Sequence, residues 1–396
     1  MAANRKRKDN KGGPQLPRKE IEDLPPAPAG KKWVKKKRWW NCTPVKCFLL
    51  ILVAIFVLNF ASLKREEKAL FPQGELYDIG WGQKLFMRCT GKGTPVVLLD
   101  SPIGETSDIW TMVEPLLNKH TKVCVYDRAG LGFSHRGYRN TTEYAQDYGK
   151  EAKRRDTLTL GTIERMVDDL HRLLHVSSVV GDSNTPLLLV GMDFSTLISR
   201  FYAQFYENEV AGLVLIDPLV ETLFDNNSTW SQYWYNEVIS HVRVLYLSSL
   251  IGINRIALLT GYIKPIENKK VVKIVSENIV NRRKYLMCNS VHLSSVIEEI
   301  AMTNDSLAQV KTVLKVKPFP QDIPVAVVKY KDFDKSAEDI KKLWNTEQEG
   351  LKRVHSQLKE YFIPGADFNS MYLHPQAIAS IILKSINQWR EDNVKQ

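Results

Sequence analysis

Short, continuously apolar runs recur along this 396-residue chain at residues 95–100 (PVVLLD), 122–127 (KVCVYD), 187–190 (LLLV), 210–217 (VAGLVLID) and 323–330 (IPVAVVKY). Runs of this length and texture fill strands buried on both faces. Between them the period changes to that of a helix: Ile163, Met166, Val167, Leu170, Leu173 and Leu174 form one face of residues 162–175, and Leu197, Ile198, Phe201 and Tyr202 repeat the spacing after the third run. Two strand-like runs lie within 77–90, and a helix is predicted at 108–117. Another helix is expected at about 335–357, a strand at 360–363 and a final helix at 376–390. Strand–helix alternation of this kind predicts a mostly parallel α/β sheet flanked by helices. The alternation lapses at residues 221–317, where helical patterns and aromatics (Trp230, Tyr233, Trp234, Tyr235) dominate. The reading is one α/β core, residues 75–220 and 318–396, with a helical cap, residues 221–317, inserted into it.

Before the core, residues 47–63 carry no charge and are long enough to cross a bilayer as a helix. Charge changes the picture here. Residues 1–46 hold fourteen Lys/Arg against four Asp/Glu, a net +10 of the chain's +11. The basic character therefore belongs to a proline-rich tail expected to be disordered, and nucleic acid is not an expected partner. Lys and Trp interleave at 31–40, as in a membrane collar facing an anionic cytosolic leaflet. With positive charge concentrated before the span, the positive-inside rule predicts a single-pass type II signal-anchor, a linker at 64–74, and a core in the secretory lumen or outside the cell. Asn140, Asn226, Asn227 and Asn304 head glycosylation sequons on that side. The three cysteines beyond the span are too few for a disulfide framework. A single pair, Cys89 with Cys124, is the favoured one if any forms, since both fall on strands expected to be neighbours.

The candidate chemistry sits at residues 186–203 (PLLLVGMDFSTLISRFYA), a strand, a tight turn and a helix with Asp193 at the apex. Asp tolerates the positive φ such a turn demands. The turn reads Gly191-x-Asp193-x-Ser195 where a nucleophile elbow reads Gly-x-Ser-x-Gly. Together with residues 95–100, 126–134 (YDRAGLGFS) and 212–218 (GLVLIDP), in this order and spacing, it resembles the α/β-hydrolase fold superfamily, in particular its peptidase, esterase and epoxide-hydrolase-like branches.

That resemblance implies a nucleophile, a histidine base, an acid that orients it and a pair of backbone N–H donors. Asp193 holds the nucleophile position, as a carboxylate does in epoxide hydrolases and dehalogenases. Aligning Pro375 with the family's proline at the start of the last helix puts Phe368 in the histidine slot, with His374 six residues later. The acid slot falls to Asp332 or Asp334, with Asp217 as a further candidate. The donor loop, Ser101-Pro102-Ile103-Gly104, followed across the site by Phe194, keeps one glycine and a proline without N–H, so loss of its donors is expected. The eight histidines read as scattered, without metal-ligand spacing, and no metal or cofactor is expected. Trp230, Trp234 and Phe368 are candidates to line an apolar pocket. The leading reading is a catalytically degenerate hydrolase-fold module that binds an apolar small molecule or a protein partner. The alternative is a hydrolase with Asp193 as nucleophile and His374 or a cap histidine as base.

Overall fold

The computed structural model describes residues 43–80, 83–136, 161–180, 185–225, 228–330, 338–355, 358–364 and 366–394. The expectations for the tail up to residue 42 and for Asn140, Asn226, Asn227, Asp332 and Asp334 fall outside these residues. Two compact units divide the chain, Met1–Phe48 and Leu49–Gln396. The second contains the sheet and the cap.

Eight strands form one sheet: β1 (Glu75–Asp78), β2 (Lys84–Thr90), β3 (Val96–Asp100), β4 (Val123–Tyr126), β5 (Leu187–Met192), β6 (Val210–Ile216), β7 (Val325–Tyr330) and β8 (Lys359–Ile363). Their order is β1-β2-β4-β3-β5-β6-β7-β8. The β1–β2 and β2–β4 pairs are antiparallel, and every pairing from β4 through β3 to β8 is parallel. The apolar runs become central strands because both faces are covered, and all six residues of β5 are buried. Alternate residues go to opposite layers. Leu98, Leu189, Leu213 and Val327 join the helices Ile163–Val176 and Ser195–Phe205, while Val97, Leu188, Val190 and Val328 pack with Ile378, Ile382 and Ile386 of the last helix, Pro375–Val394.

Cys89 and Cys124 face each other across β2 and β4 and form a disulfide, with Cα atoms 4.1 Å apart. Cys288 is a buried free thiol. The boundaries differ from expectation in three places. The region at 108–117 is a 3-10 turn, Ser107–Trp110, followed by the single-turn helix Glu114–Leu117. Gly350 divides the helix expected at 335–357 into Glu338–Gln348 and Leu351–Val354. The apolar helix runs from Pro44 to Ala69, continuing into the stretch expected as a linker. Its most apolar window has a mean hydropathy of 2.4, and it is the one continuous helix among the described residues long and apolar enough to cross a membrane.

The regular elements of the inserted segment among the described residues are all helical: Ser228–Gln232, a π-helical stretch Tyr233–Val238, Ile239–Leu250, Ile253–Leu259, Lys269–Ile274, Glu277–Cys288, Ser290–Ala301 and Thr303–Val316. Its Ser290–Ala301 helix lies directly on the core. Gly132 N–H donates to His292 Nδ1 (3.3 Å), Arg136 reaches Ser294 (3.0 Å) and Glu298, and Val296 meets the loop after β3.

Candidate functional site

β5 delivers Asp193 to the carboxyl edge of the sheet with φ 54°, the positive-φ turn the sequence predicts. Gly191 is required because a Cβ there would come within 2.7 Å of the Ser195 carbonyl oxygen. Ser195, which replaces the motif's second glycine, is fully buried, and its hydroxyl serves the backbone: it accepts from Met192 N–H (2.7 Å) and reaches the carbonyls of Met192 (2.9 Å) and Asp100 (3.0 Å). It tethers the elbow to the end of β3 and is no substitute nucleophile.

The backbone N–H groups of Phe194 and Ile103 lie near enough to the Asp193 carboxylate to favour its charged form. This corrects the expectation that the donor loop has lost its donors. Pro102 never needed to donate, because its carbonyl, like that of Ser101, accepts from Arg128 (2.8 and 2.6 Å), and that grip turns the Ile103 N–H toward the elbow. Arg128 is buried after β4 and also binds Asp100 (2.7 Å) and, through Nε and Nη2, Glu299 of the cap (2.6 and 3.1 Å). Glu299 in turn accepts from Gly104 N–H at 2.9 Å. Gly104 has φ +69°, and a Cβ there would stand 2.6 Å from Val296. The cap thus clamps the donor loop through one ion network and one close contact.

Burial is the main influence on the carboxyls at this edge. It pushes Asp193 up to about 7, a rise to which the charge of Asp217 contributes while the Phe194 and Ile103 N–H groups and Arg128 oppose it. Burial likewise raises Asp217 to about 6 against its hydrogen bonds, and Asp100 to about 6 against Arg128. Asp217, at φ 46°, accepts from Gln348 Nε2 (2.9 Å) and Trp344 Nε1 (3.1 Å). An indole and an amide thus hold this candidate acid, and no histidine among the described residues bonds to it.

Among the described residues no histidine bonds or pairs with Asp193. His171 and His175 meet Glu209 (3.5 and 3.8 Å), His292 accepts from Gly132, and His355 bonds the Ile323 carbonyl (2.9 Å). His374 is exposed at the start of the last helix, and Phe368 is exposed on the loop after β8. The pocket expected from Trp230, Trp234 and Phe368 does not form. Trp230 and Trp234 are buried and stack on each other (5.8 Å), Trp230 stacks on Trp344 (5.7 Å), and Trp234 donates to the Ile300 carbonyl (2.9 Å). They join the cap to the core. Tyr233, beside them at the start of the π-helical stretch, is close enough to feel the Asp193 charge. Asn304 lies in the Thr303–Val316 cap helix.

The strand order, the elbow and the inserted cap are those of the α/β-hydrolase fold, and this chain has that fold. The family model described as "alpha/beta hydrolase fold" matches residues 94–252. Similar solved structures include a laboratory-evolved variant of potato epoxide hydrolase (14% identity, TM-score 0.59, covering 80% of this chain and 99% of that one). An epoxide hydrolase from Vigna radiata (16%, 0.56, 80% and 98%) and a thermophilic esterase from Thermogutta terrifontis (18%, 0.52, 80% and 99%) are also similar. Among curated proteins, "Probable transporter efuK" of Hormonema carpetanum is 26% identical over 171 residues, 40% of this chain and 21% of that protein. The uncharacterized protein YbdG of Bacillus subtilis is 22% identical over 170 residues, 43% of this chain and 45% of that protein. The matched part spans less than half the length of either curated relative.

Proposed function

We propose that this chain is a single-pass type II membrane protein whose hydrolase-fold domain, on the lumenal or extracellular side, binds a lipid-like apolar molecule without turning it over. The observation that carries this reading is the setting of Asp193. Its carboxylate lies by the two backbone N–H groups that would serve a reaction's oxyanion, and among the described residues no imidazole bonds or pairs with it. A carboxylate so placed can attack an electrophilic carbon and form an ester. Release requires a base to activate water on that ester, and Asp217, the candidate acid among the described residues, is bonded to Trp344 and Gln348.

Three features support the remainder of the reading. The basic segment before an apolar helix favours a cytosolic N-terminus. A cross-strand disulfide suits an oxidising compartment. A groove of about 620 Å³ runs between Phe60, Leu63 and Phe71 of the apolar helix region and Phe133 and Tyr285 of the core and cap, beside the membrane and partly apolar.

The test is steady-state hydrolysis of a panel of epoxides, alkyl halides and esters by the full chain in detergent. The expected rate equals that of the Asp193→Asn variant. A rate above it, lost in that variant, would establish the alternative hydrolase reading.

A further inference from the structure

The cap bends by 100° where Ile239–Leu250 gives way to Ile253–Leu259. Gly252 forms the corner at φ +80°, and a Cβ on it would come within 2.9 Å of Asn59 Cβ and 3.2 Å of Ile55 Cγ2. Arg255, one turn further, donates to Asn59 Oδ1 (2.9 Å) and pairs bidentately with Glu66 (2.8 Å to each oxygen). The corner is therefore docked on the apolar helix at its centre, since Ile55 is the midpoint of the uncharged stretch 47–63. At 1.5 Å per residue, Ile55 lies about 12 Å along the helix axis from the end of that stretch. Around the corner the apolar side chains face outward: Val244 is 65% exposed, Leu247 61% and Leu259 82%, with Leu250, Ile251, Ile253 and Ile256 also exposed. A surface this apolar, continuous with a spanning helix and docked at its middle, fits hydrocarbon rather than water. The polar groups at the corner are satisfied within the protein, as the bilayer interior demands: Asn59 by Arg255, Asn254 by the Leu245 and Met287 carbonyls, Ser248 by Val244 and Ser249 by Tyr246.

From this we propose that the Ile239–Leu259 corner is a re-entrant membrane element, dipping into the same leaflet that the apolar helix leaves and fixing the cap to the bilayer. The inference rests on reading Pro44–Ala69 as a span, and the experiment separates the two. Single cysteines at Val53, Leu247, Leu259 and Val316 in the full chain carry an environment-sensitive fluorophore in phosphatidylcholine nanodiscs, with and without lipids brominated in mid-chain. Val316 ends a cap helix elsewhere and is 84% exposed. The expected result is several-fold quenching by brominated lipid at Val53, Leu247 and Leu259 and none at Val316. Quenching at Val53 with only aqueous iodide reaching Leu247 and Leu259 would overturn the re-entrant corner alone. Absence of quenching at Val53 would overturn the span and the corner with it.

A second site stands on independent observations at the far end of the Ser195–Phe205 helix, which is about 16 Å long and so separates it from Asp193. His171 and His175 are one helical turn apart on Ile163–Val176, with their Nε2 atoms 3.0 Å from each other and 3.5 and 3.8 Å from Glu209 Oε1. A tetrahedral Zn²⁺ holds its ligands about 2.0–2.2 Å away, which sets neighbouring ligand atoms about 3.4 Å apart. The three atoms are spaced for such an ion. Tyr202 donates its hydroxyl to the other Glu209 oxygen, and Tyr206 stacks on His171 at 3.9 Å, so two of the ligands are oriented from behind. The i, i+4 pair was legible in the sequence, against the expectation that the histidines lack ligand spacing; Glu209 was not.

The geometry assigns His171, His175 and Glu209 as a site for a divalent transition metal, best fitted by Zn²⁺, with a fourth position for water. Calorimetric titration of the untagged full chain with Zn²⁺ is expected to give one equivalent bound. Affinity should fall at least tenfold in His175→Gln and in Glu209→Gln, and in Tyr202→Phe by about tenfold. His175 is exposed, so its substitution leaves the fold intact, which circular dichroism checks. No saturable binding, or binding unchanged in His175→Gln, would overturn the assignment.

Discussion

Glu299→Ala is expected to lower folding stability by about 3–5 kcal/mol, because it leaves the Arg128 guanidinium buried with its Nε donor and one of its two Nη2 donors unanswered, the other staying on the Pro102 carbonyl. Both side chains are about 4% exposed, so water does not reach in to replace the carboxylate. The same substitution frees Gly104 N–H and lets the donor loop swing, which links cap, loop and elbow in one cooperative unit. In thermal unfolding the fall is on the order of 10 °C. Glu349→Ala supplies the contrast. That carboxylate pairs with Lys329 and Lys352 at the surface, where its 60% exposure limits the cost to below about 1 kcal/mol. Equal losses for the two variants would mean that the Arg128 network does not hold the cap.

Asp193→Asn is expected to stabilise the protein at alkaline pH and to be near neutral in acid. The folded pKa of Asp193, about 7, lies above the ordinary value of 3.8, so the folded state holds a proton that the unfolded state releases. The stability linked to that proton is fully present below about pH 4 and is lost as pH rises through 7. Above that pH the protein keeps a charge that is buried and faces Asp217. Asn carries none and still offers an oxygen to the Phe194 and Ile103 N–H groups. The gain at pH 8 is about 2–4 kcal/mol. Denaturant unfolding of both proteins from pH 3 to 9 measures it as a difference that opens between about pH 4 and 7 and levels off above. A difference constant with pH would contradict the protonation of Asp193 near neutrality.

The parts of this site legible in the sequence are local ones. An apolar run, a glycine, an aspartate and a helical repeat lie within twenty residues, and their order alone sets strand, turn and helix. The Cys89–Cys124 pair was legible once the strand order was assumed, because adjacent antiparallel strands bring opposed residues together. The donors on Asp193 were misjudged because they are backbone groups, and the letters Ser-Pro-Ile-Gly do not say which carbonyl or N–H faces the elbow. That direction comes from Arg128 and Glu299, 171 positions apart and joined only when the cap closes on the core. Trp230 and Trp234 were misread for the same reason. An aromatic cluster in a cap suits a pocket or a seam equally, and the partners that make it a seam, Trp344 and the Ile300 carbonyl, are 114 and 66 residues away. Gln348 and Trp344 on Asp217 are equally remote, from a helix more than 120 residues on.

The central claim, a nucleophile position that cannot complete a cycle, is tested most directly by intact-mass measurement of the full chain during incubation with reactive epoxides and alkyl halides, beside Asp193→Asn. The account predicts either no adduct or an Asp193-dependent adduct that persists unchanged after excess reagent is removed. An adduct at Asp193 that forms and then disappears within minutes, returning the protein to its starting mass with release of the hydrolysed product, would contradict it.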